Sequence, residues 1–290
     1  MGAAPPVRRI VWLASYPKSG NTWFRALLAN LQRDRSGPAS INELGALGFG
    51  SRSRFDHVAG VDSADLSAVE TDRLRSQVYR QLAVSIPDDE PVFFKIHDAY
   101  LGPLERQPLV PADASRGAIY LVRNPLDVCV SYARHSNWDI DTAIARMADE
   151  EHGLARSRNR LDRQLRQHLS SWGGHVRSWI DNGEVPVHLV RYEDLRARPV
   201  ETVAAALAFA GLARDAAEIE RAVEWSSFER LQAQERAGGF SEKPRLLPAF
   251  FRRGVSDGWR QDLTPDQAAC ITRDHAPTMR RLGYLDTAGP

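Results

Sequence analysis

Apolar residues along the chain fall into two spacings. Four short runs are continuously apolar: Ile10 to Ala14, Pro91 to His97 (PVFFKIH), Gly117 to Val122 (GAIYLV) and Val185 to Val190 (VPVHLV). Runs of this length without polar alternation read as strands buried on both faces, the setting of a parallel sheet. Between them lie stretches with helical spacing. These are Thr22 to Gln32, Asp72 to Leu82 (Leu74, Val78 and Leu82, stopped by Pro87), the segment with Leu126, Val130 and Ala133, and Leu161 to Ile180. The last is a long amphipathic pattern through Leu165, Leu169, Trp172, Val176 and Trp179. Val200 to Leu212, Asp215 to Glu224 and Thr264 to Arg281 complete the helical set. Strands interleaved with helices predict an α/β fold: a single domain with a mostly parallel central sheet of about four or five strands, flanked by helices on both faces. The domain is expected over residues 8–285, after a short N-terminal extension at 1–7. The segments Ser36 to Asp65, Tyr100 to Ser115, Ser136 to Arg160 and Gln232 to Pro248 read as loops and candidate lids.

A length of 290 residues suits one such domain with an ample core. Hydrophobic content of 43% and charged content of 26% are ordinary for a soluble enzyme, and a formal net charge of +1 gives no bulk attraction for nucleic acid. The sequence contains no apolar run long enough for a membrane span and no apolar leader before the first strand, so a cytoplasmic protein without a membrane partner is expected. Cys129 and Cys270 read as packed thiols, too few for a disulfide framework. Composition changes the picture at one point: of 38 basic residues only three are lysines, Lys18, Lys95 and Lys243. Where arginine serves almost everywhere else, Lys18 and Lys95 read either as survivors of that bias or as places that need a compact point charge.

Candidate chemistry starts at Ser15 to Trp23 (SYPKSGNTW), which joins the first strand to the first helix. A glycine-containing turn at a helix N-terminus leaves backbone N–H groups unpaired, the helix dipole adds about half a positive charge, and Lys18 adds a whole one. A phosphate-like group suits that place. The order Lys18, Ser19, Gly20 fails the Walker pattern, which weakens an ATP reading. Lys95 and His97 share a face at the end of the second apolar run and would meet the first loop if the two strands are neighbours. His97 is then a structural histidine or a base. Arg123 at a strand end and Ser131 two turns into the following helix can reach one anion, or Arg123 can pair with Asp127. Arg252 and Arg253 read as a solvated pair or, beside Gly254 and Trp259, as an anion loop. His168 and His175 lack a carboxylate one turn on, and no metal site is implied.

The stretch Tyr16 to Trp23 resembles the phosphosulfate loop, YPKSGTTW, of sulfotransferases that use 3′-phosphoadenosine 5′-phosphosulfate (PAPS), with Asn21 in place of a threonine. Further segments are similar to family motifs in the family's order: FKIH around His97, RNPLDVCVS from Arg123 to Ser131, RYEDL around Tyr192, SSFE from Ser226 to Glu229, and FFRRGVSDGWR around Arg252 to Gly254. In the last, Asp257 precedes Gly258 where the family has the reverse order, and Arg253 replaces lysine. The family's dimer signature is not matched, since Arg260, Thr264, Pro265 and Ala269 hold its places, so the oligomeric state stays open.

The resemblance implies a P-loop-like strand–loop–helix in which Lys18, Ser19, Gly20, Asn21 and Thr22 bind the 5′ end of PAPS. Trp23 and Phe228 would stack the adenine, with Tyr192 and Ser226 near it, while Arg123, Ser131, Arg252, Arg253 and Gly254 hold the 3′-phosphate. It implies His97 as general base, Lys18 and Lys95 as charge stabilisers, a small-molecule hydroxyl or amine as acceptor, and 3′-phosphoadenosine 5′-phosphate (PAP) as product. A Mg²⁺-dependent small-molecule kinase and a non-catalytic nucleotide-binding protein are the alternatives.

Overall fold

The computed structural model describes residues 9–31, 36–45, 47–48, 50–85, 91–102, 107–157 and 161–286. β1 (Ile10–Ser15) feeds α1 (Asn21–Asn30), and the chain continues through β2 (Leu47–Gly48), α2 (Arg52–Ala59), α3 (Ala68–Ser85) and β3 (Val92–Ile96). β4 (Ser115–Val122), α4 (Pro125–Ser136) and α5 (Ile140–Ala148) come next, then a short antiparallel pair, β5 (Gly153–Leu154) with β6 (Gln167–His168). α6 (Trp172–Ile180), β7 (Val187–Arg191), α7 (Tyr192–Ala197), α8 (Pro199–Ala210), α9 (Ala216–Trp225), α10 (Phe228–Gly238) and α11 (Pro265–Arg281) complete the order.

Five strands form a parallel sheet in the order β2-β3-β1-β4-β7, so β1 is central and wholly buried. The unbroken apolar character of β1 follows from its alternation between two cores. Ile10, Trp12 and Ala14 face a cluster with Tyr79 of α3, Cys129 of α4, Met147 of α5, Trp172 and Trp179 of α6 and Met279 of α11. Val11 and Leu13 face the opposite cluster, with Phe24 and Leu27 of α1, Leu195, Leu207 and Ile219. Each large side chain so covered contributes about 1.5–3 kcal/mol. Among the described residues, no helix is long and apolar enough to cross a membrane.

The register Ala14 opposite Ile96 sets the ends of β1 and β3 level. The chain just past β3 is then pinned from several sides. Asp98, fully buried, takes Arg75 of α3 at 3.1 Å through both oxygens and the backbone N–H of His168 at 3.1 Å. Its carbonyl accepts the Trp179 indole N–H at 2.9 Å.

The helix expected over Leu161 to Ile180 begins only at Trp172. Ser171 caps it by accepting from Gly174 N–H, and Ser170 before it has φ 60°, a left-handed turn that stops helix propagating backward. Leu165 and Leu169 still reach the core, from non-helical backbone. The expected loops also contain helices: α2, α5, whose cap is the Asp139 side chain on Thr142 N–H at 2.7 Å, and most of α10. The N-terminal extension and Pro87 lie outside the described residues.

Asp98→Ala is expected to cost about 3–5 kcal/mol of unfolding free energy in urea, because Arg75 stays buried without its main counter-charge. A cost near the roughly 1 kcal/mol of an exposed pair would contradict this account of the pin.

Candidate functional site: a cleft across the carboxyl edge of the sheet

The turn after β1 carries two residues in left-handed conformation, Lys18 at φ 71° and Gly20 at φ 101°. For lysine that conformation is costly, about 1–2 kcal/mol, a cost typical of functional turns. Gly20 is required twice, since a Cβ there would also stand 2.8 Å from the Tyr192 ring. No side chain caps α1, so the N–H groups of its first turn are not taken by a cap. The Asn21 side chain turns inward and donates to the Leu13 carbonyl at 2.9 Å and to Ser15 Oγ at 3.2 Å, tying the turn to β1. Ser19 Oγ and Asn21 Oδ1 are buried without a partner.

Lys18, Lys95 and His97 line one end of a cleft of about 1280 Å³. His97 Nδ1 lies 2.8 Å from the Ser15 carbonyl oxygen. A carbonyl only accepts, so Nδ1 carries the proton and Nε2 keeps its lone pair. Behind it, Tyr120 donates to His175 Nδ1 at 2.7 Å, and His175 Nε2–H donates to the His97 carbonyl at 3.0 Å. Burial, then the charge of Lys95, push the His97 imidazole down to about 3 against the opposing bond to Ser15, so it is neutral at pH 7. Lys18 Nζ donates to His135 Nδ1 at 3.2 Å and lies 4.2 Å above the Phe250 ring. Burial and the cations Lys95 and Arg123 lower Lys18 to about 7. His135, partly buried and facing Lys18 and Lys95, is lowered to about 4. Lys95 Nζ meets Glu242 at 3.3 Å, and Arg25 grips the same carboxylate at 2.7 and 3.0 Å.

A second group of cations lines the same cleft. Arg123 stacks 4.4 Å over Tyr192 and donates to the Val255 carbonyl at 2.8 Å, so the expected alternative pairing with Asp127 is not its contact. Asp127 instead accepts the N–H groups of Asp257 and Trp259 at 2.9 and 3.0 Å, anchoring the segment that carries Arg252, Arg253 and Gly254. Asp262 gathers Arg134 at 2.6 Å, Arg253 at 3.0 Å and Arg252 at 3.6 Å. Ser131, Thr22, Trp23, Tyr192 and Phe228 line the same cleft. The Trp23 indole donates to the Ser226 carbonyl at 2.9 Å, and a Cβ on Gly254 would stand 2.4 Å from the Phe228 ring. Two of the expected site residues stand apart from the lining. Ser19 is fully buried, and Ser226, also buried, accepts Asn30 Nδ2 at 2.9 Å, so Ser227 takes its place at the cleft.

The family model of the sulfotransferase domain matches residues 8–283. The chain belongs to the sulfotransferase domain family. Relatives include dog (Canis lupus familiaris) sulfotransferase 1A1, 26% identical over 62% of this chain and 61% of that protein. Rat (Rattus norvegicus) sulfotransferase 2A6 is 28% identical over 53% of this chain and 54% of that protein. Cytosolic sulfotransferase 13 of Arabidopsis thaliana is 27% identical over 87% of this chain and 71% of the plant protein. The chain thus spans less than two thirds of the two mammalian relatives. Among solved structures, retinol dehydratase with androsterone and PAP superposes with TM-score 0.61 at 17% identity, covering 99% of this chain and 84% of that one. Mouse sulfotransferase SULT7A1 with PAP gives TM-score 0.57 at 18% identity, covering 94% and 85%.

Within this sulfotransferase domain, Arg25, His135, Glu242 and Asp262 enter the cleft without having been expected. Their sequence neighbourhoods carry no pattern that marks them, and Arg25, His135 and Glu242 meet partners far away in the chain, 217 residues between Arg25 and Glu242 and 117 between His135 and Lys18. Thr264 and Gln267, where the family dimer signature would fall, form the capping box of α11. Among the described residues no group of metal-ligating side chains occurs. With three lysines in all, ε-¹³C lysine NMR with single Lys→Arg variants for assignment reads Lys18 directly. It is expected to titrate near pH 7 in the free protein. An ordinary lysine titration above about pH 10 would contradict the burial and charge crowding described.

Proposed function

We propose that this protein transfers a sulfuryl group from PAPS to a hydroxyl or amine of a small-molecule acceptor, with His97 as general base. The observation that carries the reading is the His97 tautomer: with Nδ1–H committed to the Ser15 carbonyl, the Nε2 lone pair is left for an acceptor proton. PAP in the related structures, and androsterone and retinol in the retinol dehydratase structures, support the donor and a small-molecule acceptor.

The residues fit such a donor. Backbone N–H groups from Lys18 to Thr22 and the α1 dipole suit the 5′ end. Trp23 and Phe228, with Tyr192 beside them, suit the base. Arg123, Ser131, Arg252 and Arg253 suit the 3′-phosphate, with Gly254 letting the backbone approach Phe228. Ser19 and Ser226 would act from behind, Ser226 by holding Trp23. PAPS supplies a sulfuryl group on a good leaving oxygen. As the bond from sulfur to the acceptor oxygen forms and that to the bridging oxygen breaks, Lys18 neutralises the bridging oxygen and Lys95 the sulfuryl oxygens. His97 Nε2 takes the acceptor proton. An imidazole of such low basicity can do so because a hydroxyl bonding to sulfur becomes far more acidic than a free alcohol. Proton removal therefore follows bond formation closely.

Sulfuryl transfer from PAPS should proceed in the presence of chelator over a panel of hydroxyl and amine acceptors. His97→Ala should lower turnover by about 10² to 10⁴ while leaving PAP affinity within a few-fold. Turnover within a few-fold of the unaltered chain would remove His97 from the role.

A further inference from the structure

The segment after α10 carries a carboxylate into the lysine end of the cleft. Glu242 is held by two parallel bonds from Arg25, at 2.7 and 3.0 Å, a bidentate geometry that fixes its position. Arg25 lies one turn past Asn21 on α1 and is only 6% exposed, so its guanidinium cannot readily swing to another partner. From that fixed place Glu242 takes Lys95 Nζ at 3.3 Å. The same segment continues to Phe250, which covers Lys18, and to Phe251, whose N–H is held at 2.9 Å by Glu235 of α10. The proposed transfer uses Lys18, Lys95 and His97 and leaves Arg25 and Glu242 without a part.

We propose that Glu242 is a positioning residue for sulfuryl transfer: gripped by Arg25, it holds the Lys95 ammonium in place and charged, and links this to the ordering of the segment over the cleft. The inference rests on the proposed function for the role of Lys95, and on geometry alone for the coupling between Glu242 and Lys95.

The charged groups around Lys95 make the need plain. Arg25 on α1 is a cation and Lys18 on the first loop is one when protonated, while His97 just past β3 and His135 on α4 are neutral imidazoles at pH 7. Among the described residues, Glu242 is the anion that touches Lys95. Burial lowers Lys95 and Arg25 adds to this, while Glu242 opposes both. Glu242 itself is held down at about 2 by Arg25 and Lys95 against its own burial, so it stays ionised at working pH. Without its charge Lys95 would face the Arg25 guanidinium in a poorly solvated wall and lose its proton at lower pH, and a neutral amine does not attract sulfuryl oxygens.

The test compares Glu242→Gln and Glu242→Asp with the unaltered chain, reading the Lys95 titration by ε-¹³C NMR in the free protein and the alkaline limb of kcat with PAPS. Glu242→Gln should move the Lys95 titration down by about one pH unit, a tenfold change in proton affinity, and move the alkaline limb of kcat the same way. Glu242→Asp, which keeps the charge, should restore at least half of the shift, and carries the test if Glu242→Gln does not fold. A latch that only orders the loop would leave the Lys95 titration unmoved in folded Glu242→Gln and would overturn the proposal. A moved titration with an unmoved kcat limb would overturn its catalytic half. If the unaltered chain transfers no sulfuryl group, the proposed function fails, and the titration still decides whether Glu242 sets the charge of Lys95.

Discussion

One hydrogen bond organises the proposed chemistry, that from His97 Nδ1–H to the Ser15 carbonyl. It exists because β1 and β3 are parallel neighbours whose last residues stand level, so the strand that leads into the first loop and the strand that delivers the histidine end together. Everything behind that bond serves to keep it. Tyr120 and His175 hold the His97 carbonyl, and Arg75, Trp179 and the His168 backbone hold Asp98 next to it. A histidine held at its carbonyl and at Nδ1 presents Nε2 in one direction.

The second constraint is electrostatic. Lys18, Lys95, Arg25 and Arg123 line a single cleft, with Arg252 and Arg253 at its rim. Without ligand such a concentration of cations is unfavourable, and burial compounds the cost. The chain offsets it with three carboxylates, each supplied by a different segment. Glu242 serves Lys95, Asp262 gathers Arg134, Arg252 and Arg253, and Asp127 fixes the backbone that carries the last two. The depressed proton affinity of Lys18 is what remains uncompensated, and an anionic donor would relieve it.

How much of this was legible in the sequence depends on chain distance. The strands with continuous apolar runs and the loop from Ser15 to Trp23 are local patterns, and they stand where the sequence puts them. β2 has only two residues and no pattern to find. The helix predicted from Leu161 failed because Leu165 and Leu169 meet the core at a helical period by coincidence, while the Ser170 and Ser171 pair before Trp172 held the true start signal. Arg25, Glu242 and Asp262 could not be seen, since a charged residue on a loop or helix reads as solvated until its distant partner is in place. Ser19 and Ser226 mark the converse: a motif position names a residue but does not say whether its side chain or its backbone faces the ligand.

The central claim is that two anionic groups of one adenine nucleotide are held at opposite ends of the cleft. Calorimetric titration of the full chain with PAP and with ATP, at matched ionic strength, tests it most directly. The account predicts PAP bound at least about tenfold more tightly than ATP, the contribution of one or two charge-assisted bonds to the 3′-phosphate. Equal affinities, or a preference for ATP, would contradict it.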